Sequence, residues 1–113
     1  MDNVIINEED RLLVINKGAQ GTYSLDEIEE CTIQFEDAHF KGKSKPFSHV
    51  IYDAWVQTGW LRPPACYIGL IIKLKNKETV YAYISNHKVR YGTKEYDEDK
   101  RIAKIIKKKI DMN

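Results

Sequence analysis

The side chains best equipped for chemistry are Cys31 and Cys66, the three histidines His39, His49 and His87, and an aromatic and basic cluster spread over residues 40–67. A thiolate beside an imidazole would make a nucleophile. Neither cysteine, however, stands at a helix start or in a nucleophile motif. Both fall in strand-like apolar runs, where cysteine packs as a small hydrophobe. Asp37, His39, His49 and Asp53 form the best linear set of metal ligands, but they lack the tight spacing of a zinc motif or a helical histidine pair and read as surface loop residues. His87 adds no partner that spacing can identify. Gly18 and Gly21 lack the Lys-Ser/Thr continuation of a phosphate-binding loop, and carboxylate pairs are uninformative in a chain with seventeen acids. The expectation is a non-catalytic chain with no metal and no cofactor.

The aromatic and basic cluster is a different matter. Phe40, Lys41, Lys43, Lys45, Phe47, Trp55, Trp60 and Arg62 are the candidate ligand- or partner-binding residues, with Tyr52 and Tyr67 beside them. Aromatic rings can stack on single-stranded nucleic acid while cations attract phosphate. Trp and Tyr can equally anchor a peptide. The third alternative is that the rings fill space under a long loop. Among the functional readings a protein contact comes first.

These residues need a scaffold. Arg11–Asn16 is rich in branched apolar residues and stops at Lys17-Gly-Ala-Gln-Gly21, so it reads as a strand entering a turn. A strand over Thr22–Leu25 follows, then Cys31–Phe35, whose alternation places Cys31, Ile33 and Phe35 on one inner face. Ser24 and Glu27 have capping-box spacing, in a segment too short for more than about one turn. Residues 37–65 are an irregular insertion or long connection, in which Val50–Val56 is a strand or a short helix. Cys66–Leu74 and Thr79–Ile84, separated by Lys75-Asn-Lys-Glu78, form a hairpin. Asn86–Glu95 reads as a loop. From Asp97 to Ile110 the chain turns helical, with Ile102, Ala103, Ile106 and Ile110 on one stripe, Ile105 at its edge and lysines on the remaining arc. Asp97, Glu98 and Asp99 complement the helix start and the lysine run its end.

With 113 residues and 42% hydrophobic side chains the chain suits one core and one domain over 1–113. Its longest apolar stretch is far short of the roughly 18 residues of a spanning helix. An acidic start without basic and apolar sections and two cysteines in strand-like segments suit a cytoplasmic protein. The net charge of +1 hides an imbalance: residues 1–40 carry ten acids against Arg11 and Lys17, and residues 41–113 seven acids against sixteen cations. Such halves either attract each other within one fold or present a partner surface.

The order of elements resembles the pleckstrin-homology-like domains found in many bacterial proteins. The likeness rests on the pair Arg11–Asn16 and Thr22–Leu25 leading into Asp26-Glu27-Ile28, on the hairpin of residues 66–84, and on Tyr96, Ala103, Ile106 and Ile110 in the closing helix. It spans most of the chain except residues 37–65, through apolar patterns rather than a signature. It implies an α+β, mostly β fold: an antiparallel barrel of two nearly orthogonal sheets, with the C-terminal amphipathic helix over one opening. It also implies frequent self-assembly. Relatives of that family bind peptides or phosphoinositides, but no phosphoinositide motif is matched here, and nothing catalytic carries over. The expectation is therefore an interaction domain that binds a protein or its own copy, through residues 40–62 or an exposed strand edge. The alternative is an anionic-ligand module using Lys41, Lys43, Lys45 and the helix lysines on a phospholipid headgroup, a membrane surface or nucleic acid.

Overall fold

A computed structural model describes residues 3–38, 47 and 65–112. Among these residues, seven strands precede one helix: β1 (Val4–Asn7), β2 (Leu12–Ile15), β3 (Gly21–Ser24), β4 (Ile28–Asp37), β5 (Ala65–Leu74), β6 (Thr79–Tyr83), β7 (Val89–Arg90) and α1 (Lys94–Asp111). The expected α+β architecture, two antiparallel sheets and a C-terminal helix, is present. One sheet has the order β1-β2-β3; in the other, β4-β5-β6 lie side by side and β7 also pairs with β5.

The hydrophobic alternation of β5 organises the second sheet. Cys66, Ile68, Leu70, Ile72 and Leu74 point inward and are buried, while Tyr67, Ile71 and Lys73 on the opposite face are only partly covered. Cys31 and Phe35 of β4 and Ala82 of β6 share the inner face. In the β5–β6 turn, Asn76 Oδ1 accepts the Glu78 N–H at 2.9 Å and Lys77 takes a φ of +78°. An asparagine side chain holding a nearby amide is what makes this residue favourable in turns.

Helix α1 lays its apolar stripe on this core. Tyr96, Ala103, Ile106 and Ile110 are buried and Ile102 packs against them. Ala103 has no exposed surface, so the helix comes close to the sheet where its side chain is smallest. Tyr96 stacks on Phe35 with ring centroids 6.0 Å apart, and Lys100 Nζ lies about as far from both rings.

The two sheets do not close into a barrel among the described residues. Their ladders stay separate and meet at one isolated bridge, Gly18 opposite Ala82. Around it the Ala19 N–H donates to Tyr81 O and the Tyr83 N–H to Lys17 O, each at 2.9 Å. Lys17 Nζ then reaches the carbonyls of Ser85 and Asn86. Gly18 adopts a φ of +119°, and a Cβ there would stand 2.6 Å from Tyr81 O. Both facts require glycine.

Several boundaries differ from the sequence expectation. Val4–Asn7, within the acidic start to which no element was assigned, is a strand held by β2. The strand expected at Cys31–Phe35 runs from Ile28 to Asp37, because its partner β5 is equally long. Leu25 leaves β3 to open a single 3-10 turn, Leu25–Glu27, whose Asp26 N–H is accepted by Ser24 Oγ at 3.2 Å. Val89–Arg90, expected as loop, pairs with the start of β5. The helix begins at Lys94 rather than Asp97 because Thr93 Oγ1 accepts the Tyr96 N–H. Of the segment expected to be irregular, Asp37 ends β4 and Ala65 begins β5; the Ala38 N–H donates to Ala65 O at 3.0 Å, so the ends of the 39–64 stretch lie side by side.

Replacing Gly18 with alanine forces both a strained φ and a backbone collision. The expected loss of unfolding free energy is about 2 kcal/mol, read as a lower urea midpoint with unchanged slope.

Candidate functional site

Of the sequence-derived candidates, Phe47 is described. Phe40, Lys41, Lys43, Lys45, Trp55, Trp60 and Arg62 lie outside the described residues, as do His39, His49, Tyr52 and Asp53. Phe47 sits on the outer face of the second sheet. Its ring stacks on Tyr83 at 5.0 Å and meets Tyr81 edge-on at 6.4 Å, and Tyr67 meets Tyr83 at 6.2 Å. Part of the aromatic concentration therefore does gather in space.

On the same face, near the end of β4, lies Glu36, 1% exposed. Its two carboxylate oxygens take one donor each: Tyr83 O–H at 2.8 Å on Oε1 and the Phe47 backbone N–H at 2.5 Å on Oε2. A buried carboxylate persists only when hydrogen-bonded in this way. Burial, then the bond to Glu36, pushes the Tyr83 phenol well above its ordinary range. The sequence held no signal for this pair, because register across three strands brings Glu36 and Tyr83 together.

A second feature lies between β1 and α1. A groove of about 410 Å³ runs between them, walled by Val4, Ile5, Ile6, Ile102, Ile105 and Ile106. Ile5 and Ile105 are 41% and 42% exposed, two of the four exposed large hydrophobics among the described residues. β1 is the terminal strand of its sheet, and among the described residues no strand pairs with its outer edge. The Asn16 N–H donates to Asn3 O. Antiparallel alternation then turns the amide groups of Asn3, Ile5 and Asn7 toward β2 and those of Val4 and Ile6 outward. The Val-Ile-Ile run was the available signal; the acidic residues around it hid a four-residue strand.

Asp99 and Asn86 form the polar end of the groove. Burial holds the Asp99 carboxyl above its ordinary range, opposed by a hydrogen bond from Ser85 and reinforced by Glu98 and Glu95. Ser85, itself fully buried, also accepts the Ile68 N–H at 3.0 Å, which makes it a structural tie between the sheet and the helix. Among the described residues no three His, Cys, Asp or Glu side chains converge as metal ligands.

The cysteines stand at opposite ends of the β4–β5 ladder, Cys31 across from Ile72 and Cys66 across from Asp37. Both are buried in the core. Burial pushes the Cys31 thiol up to about 12, against the nearby Lys107, which keeps it protonated and poorly nucleophilic.

Three of the seven cations of α1 pair with acids. Lys107 pairs with Asp111 at 2.5 Å, Arg101 with Glu98 at 2.6 Å and Lys109 with Glu8 at 3.8 Å. The last joins the acidic and basic halves of the chain within one molecule, as does Lys77 with Glu29 at 3.9 Å. Among the described residues no helix is long and apolar enough to cross a membrane.

The Cys31 shift has a definite sign. The unfolded thiol ionises near pH 9 and the folded one near 12, so across this window the unfolded state binds fewer protons and stability falls as pH rises. Below pH 9 the group contributes no pH dependence. Urea titrations from pH 8 to 11 should show Cys31→Ala losing part of the alkaline decline seen in the wild type.

Comparison with family models, curated proteins and solved structures returns no match to this chain.

Proposed function

We propose that this chain is a non-catalytic interaction domain of pleckstrin-homology-like architecture that self-associates through the open edge of β1. The observation that carries this reading is the edge of Val4–Asn7, with which no described strand pairs, beside a groove walled on both sides by Val and Ile. Exposed strand edges are ready templates for strand addition.

The edge is self-complementary. If two copies meet antiparallel about Ile5, the outward amide groups of Val4 face those of Ile6 in the partner, and the reverse. Each pair exchanges two hydrogen bonds. The two Ile5 side chains then meet directly across the strands, at the close spacing of a non-hydrogen-bonded pair. Residues directly opposite share a sheet face, so the incoming Val4 and Ile6 would lie toward Ile102, Ile105 and Ile106. This is a twofold interface that reuses one patch. Four residues per strand make a short contact, so the dimer is expected to be weak.

Two buried cysteines at opposite ends of one strand pair, too far apart to bridge, suit a reducing cytoplasm. Acids pair with Arg101, Lys107 and Lys109 and so lower the attraction of that part of α1 for an anionic ligand.

Light scattering over a range of concentrations tests the proposal. The wild type should shift from monomer toward dimer as concentration rises, and Ile5→Lys should remain monomeric with an unchanged thermal midpoint, since Ile5 is exposed. A monomeric wild type throughout, or a dimer undisturbed by Ile5→Lys, would sink the idea.

A further inference from the structure

The outer face of the second sheet, remote from the core, carries three features that packing of the core does not require. The first is the buried Glu36 carboxylate, which has one oxygen for Tyr83 and the other for a backbone N–H. The second is Gly69, placed mid-strand where glycine weakens a sheet. A Cβ there would run into the Phe47 ring and into Ala82 O, so the missing side chain is the space that the ring edge uses. The third is Phe47 itself, at a φ of +58°, a conformation that non-glycine residues rarely adopt. Such backbone persists where surrounding contacts hold it.

Together these form a socket with two specificities. Tyr81 and Tyr83 receive a flat ring over Gly69, and Glu36 reads the amide hydrogen of the residue that carries the ring. We propose that this face is a binding site for a single aromatic residue of a peptide, and that the chain's own Phe47 is its resident ligand. An empty socket would leave one oxygen of a buried carboxylate without its donor, so occupancy is favoured by the carboxylate as well as by ring burial. A ring without an amide hydrogen, or an amide without a ring, meets half of the requirement. The site is independent of the β1 edge: the two lie on different sheets and share no residue.

The experiment removes the resident ring and offers a free one in its place, whose own N–H must take over from that of residue 47 on Glu36. Phe47→Ala should melt several degrees below the wild type and shift the amide resonances of Gly69 and Tyr83. Millimolar N-acetyl-phenylalaninamide, which carries both ring and N–H, should recover part of the melting temperature and return those resonances toward their wild-type positions, saturably. N-acetyl-alaninamide should do neither, and the wild type should not respond to either probe. Adding Glu36→Ala to Phe47→Ala should abolish the recovery. The proposal is overturned if Phe47→Ala leaves Gly69 and Tyr83 unshifted, or if the phenylalanine probe produces no recovery at its solubility limit. A second measurement holds even if Phe47→Ala folds poorly: in otherwise wild-type chain, Glu36→Ala should speed hydrogen exchange at the Phe47 amide while Leu70 and Ile72 stay protected. Unchanged exchange at Phe47 would also overturn the proposal.

Discussion

The arrangement of the molecule depends on one close approach of two backbones, at Gly18 and Ala82. Each sheet satisfies its own ladder, and neither extends the other. What places them is a short chain segment, 17–19, that exchanges hydrogen bonds with β6 where a Cβ at Gly18 would not fit. Backbone hydrogen bonds are directional, so this one contact fixes position and orientation more tightly than apolar packing alone, which tolerates sliding. Asn3, whose side-chain amide donates to Ile84 O at 3.0 Å, repeats the tie at the other end of the same region. The groove between β1 and α1 is a product of that placement.

The helix completes what the sheets leave open. Its stripe covers the inner faces of β4 and β5, and the stacked Tyr96 and Phe35 rings extend the core toward the helix start. Surface electrostatics adds little by comparison. The exposed pairs Lys109–Glu8 and Lys77–Glu29 are close to 4 Å, a class usually worth less than about 1 kcal/mol. They nevertheless show that the lopsided charge of the sequence is partly reconciled inside one molecule.

Long periodic segments are legible in the sequence. β5 and β6 flank a turn whose Asn76 announces itself, and Ile102, Ala103, Ile106 and Ile110 repeat at helical spacing. Short elements were not. β1 and β7 have four and two residues, and their existence is decided by a neighbouring strand rather than by their own composition. The helix start moved because one threonine hydroxyl outweighed a run of acids. For the site the limit was different in kind. Aromatic residues near position 47 drew notice by composition, yet Glu36 looked like any surface acid until cross-strand register carried it beneath Tyr83. Likewise Gly69 reads as a weak point in a strand until a ring is seen to occupy its missing side chain.

The hydrogen bond between Ala38 and Ala65 holds the facing ends of β4 and β5 together on either side of residues 39–64. Loop closure costs only about 0.6 kcal/mol for each doubling of length once the ends are held together. The pairing of β4 with β5 therefore depends little on the number of residues between them, whereas the face above Gly69 depends on the ring of Phe47. The two features are thereby set by different parts of the chain: the ladder by the register of its strands, the ring above Gly69 by a residue that neither strand contains.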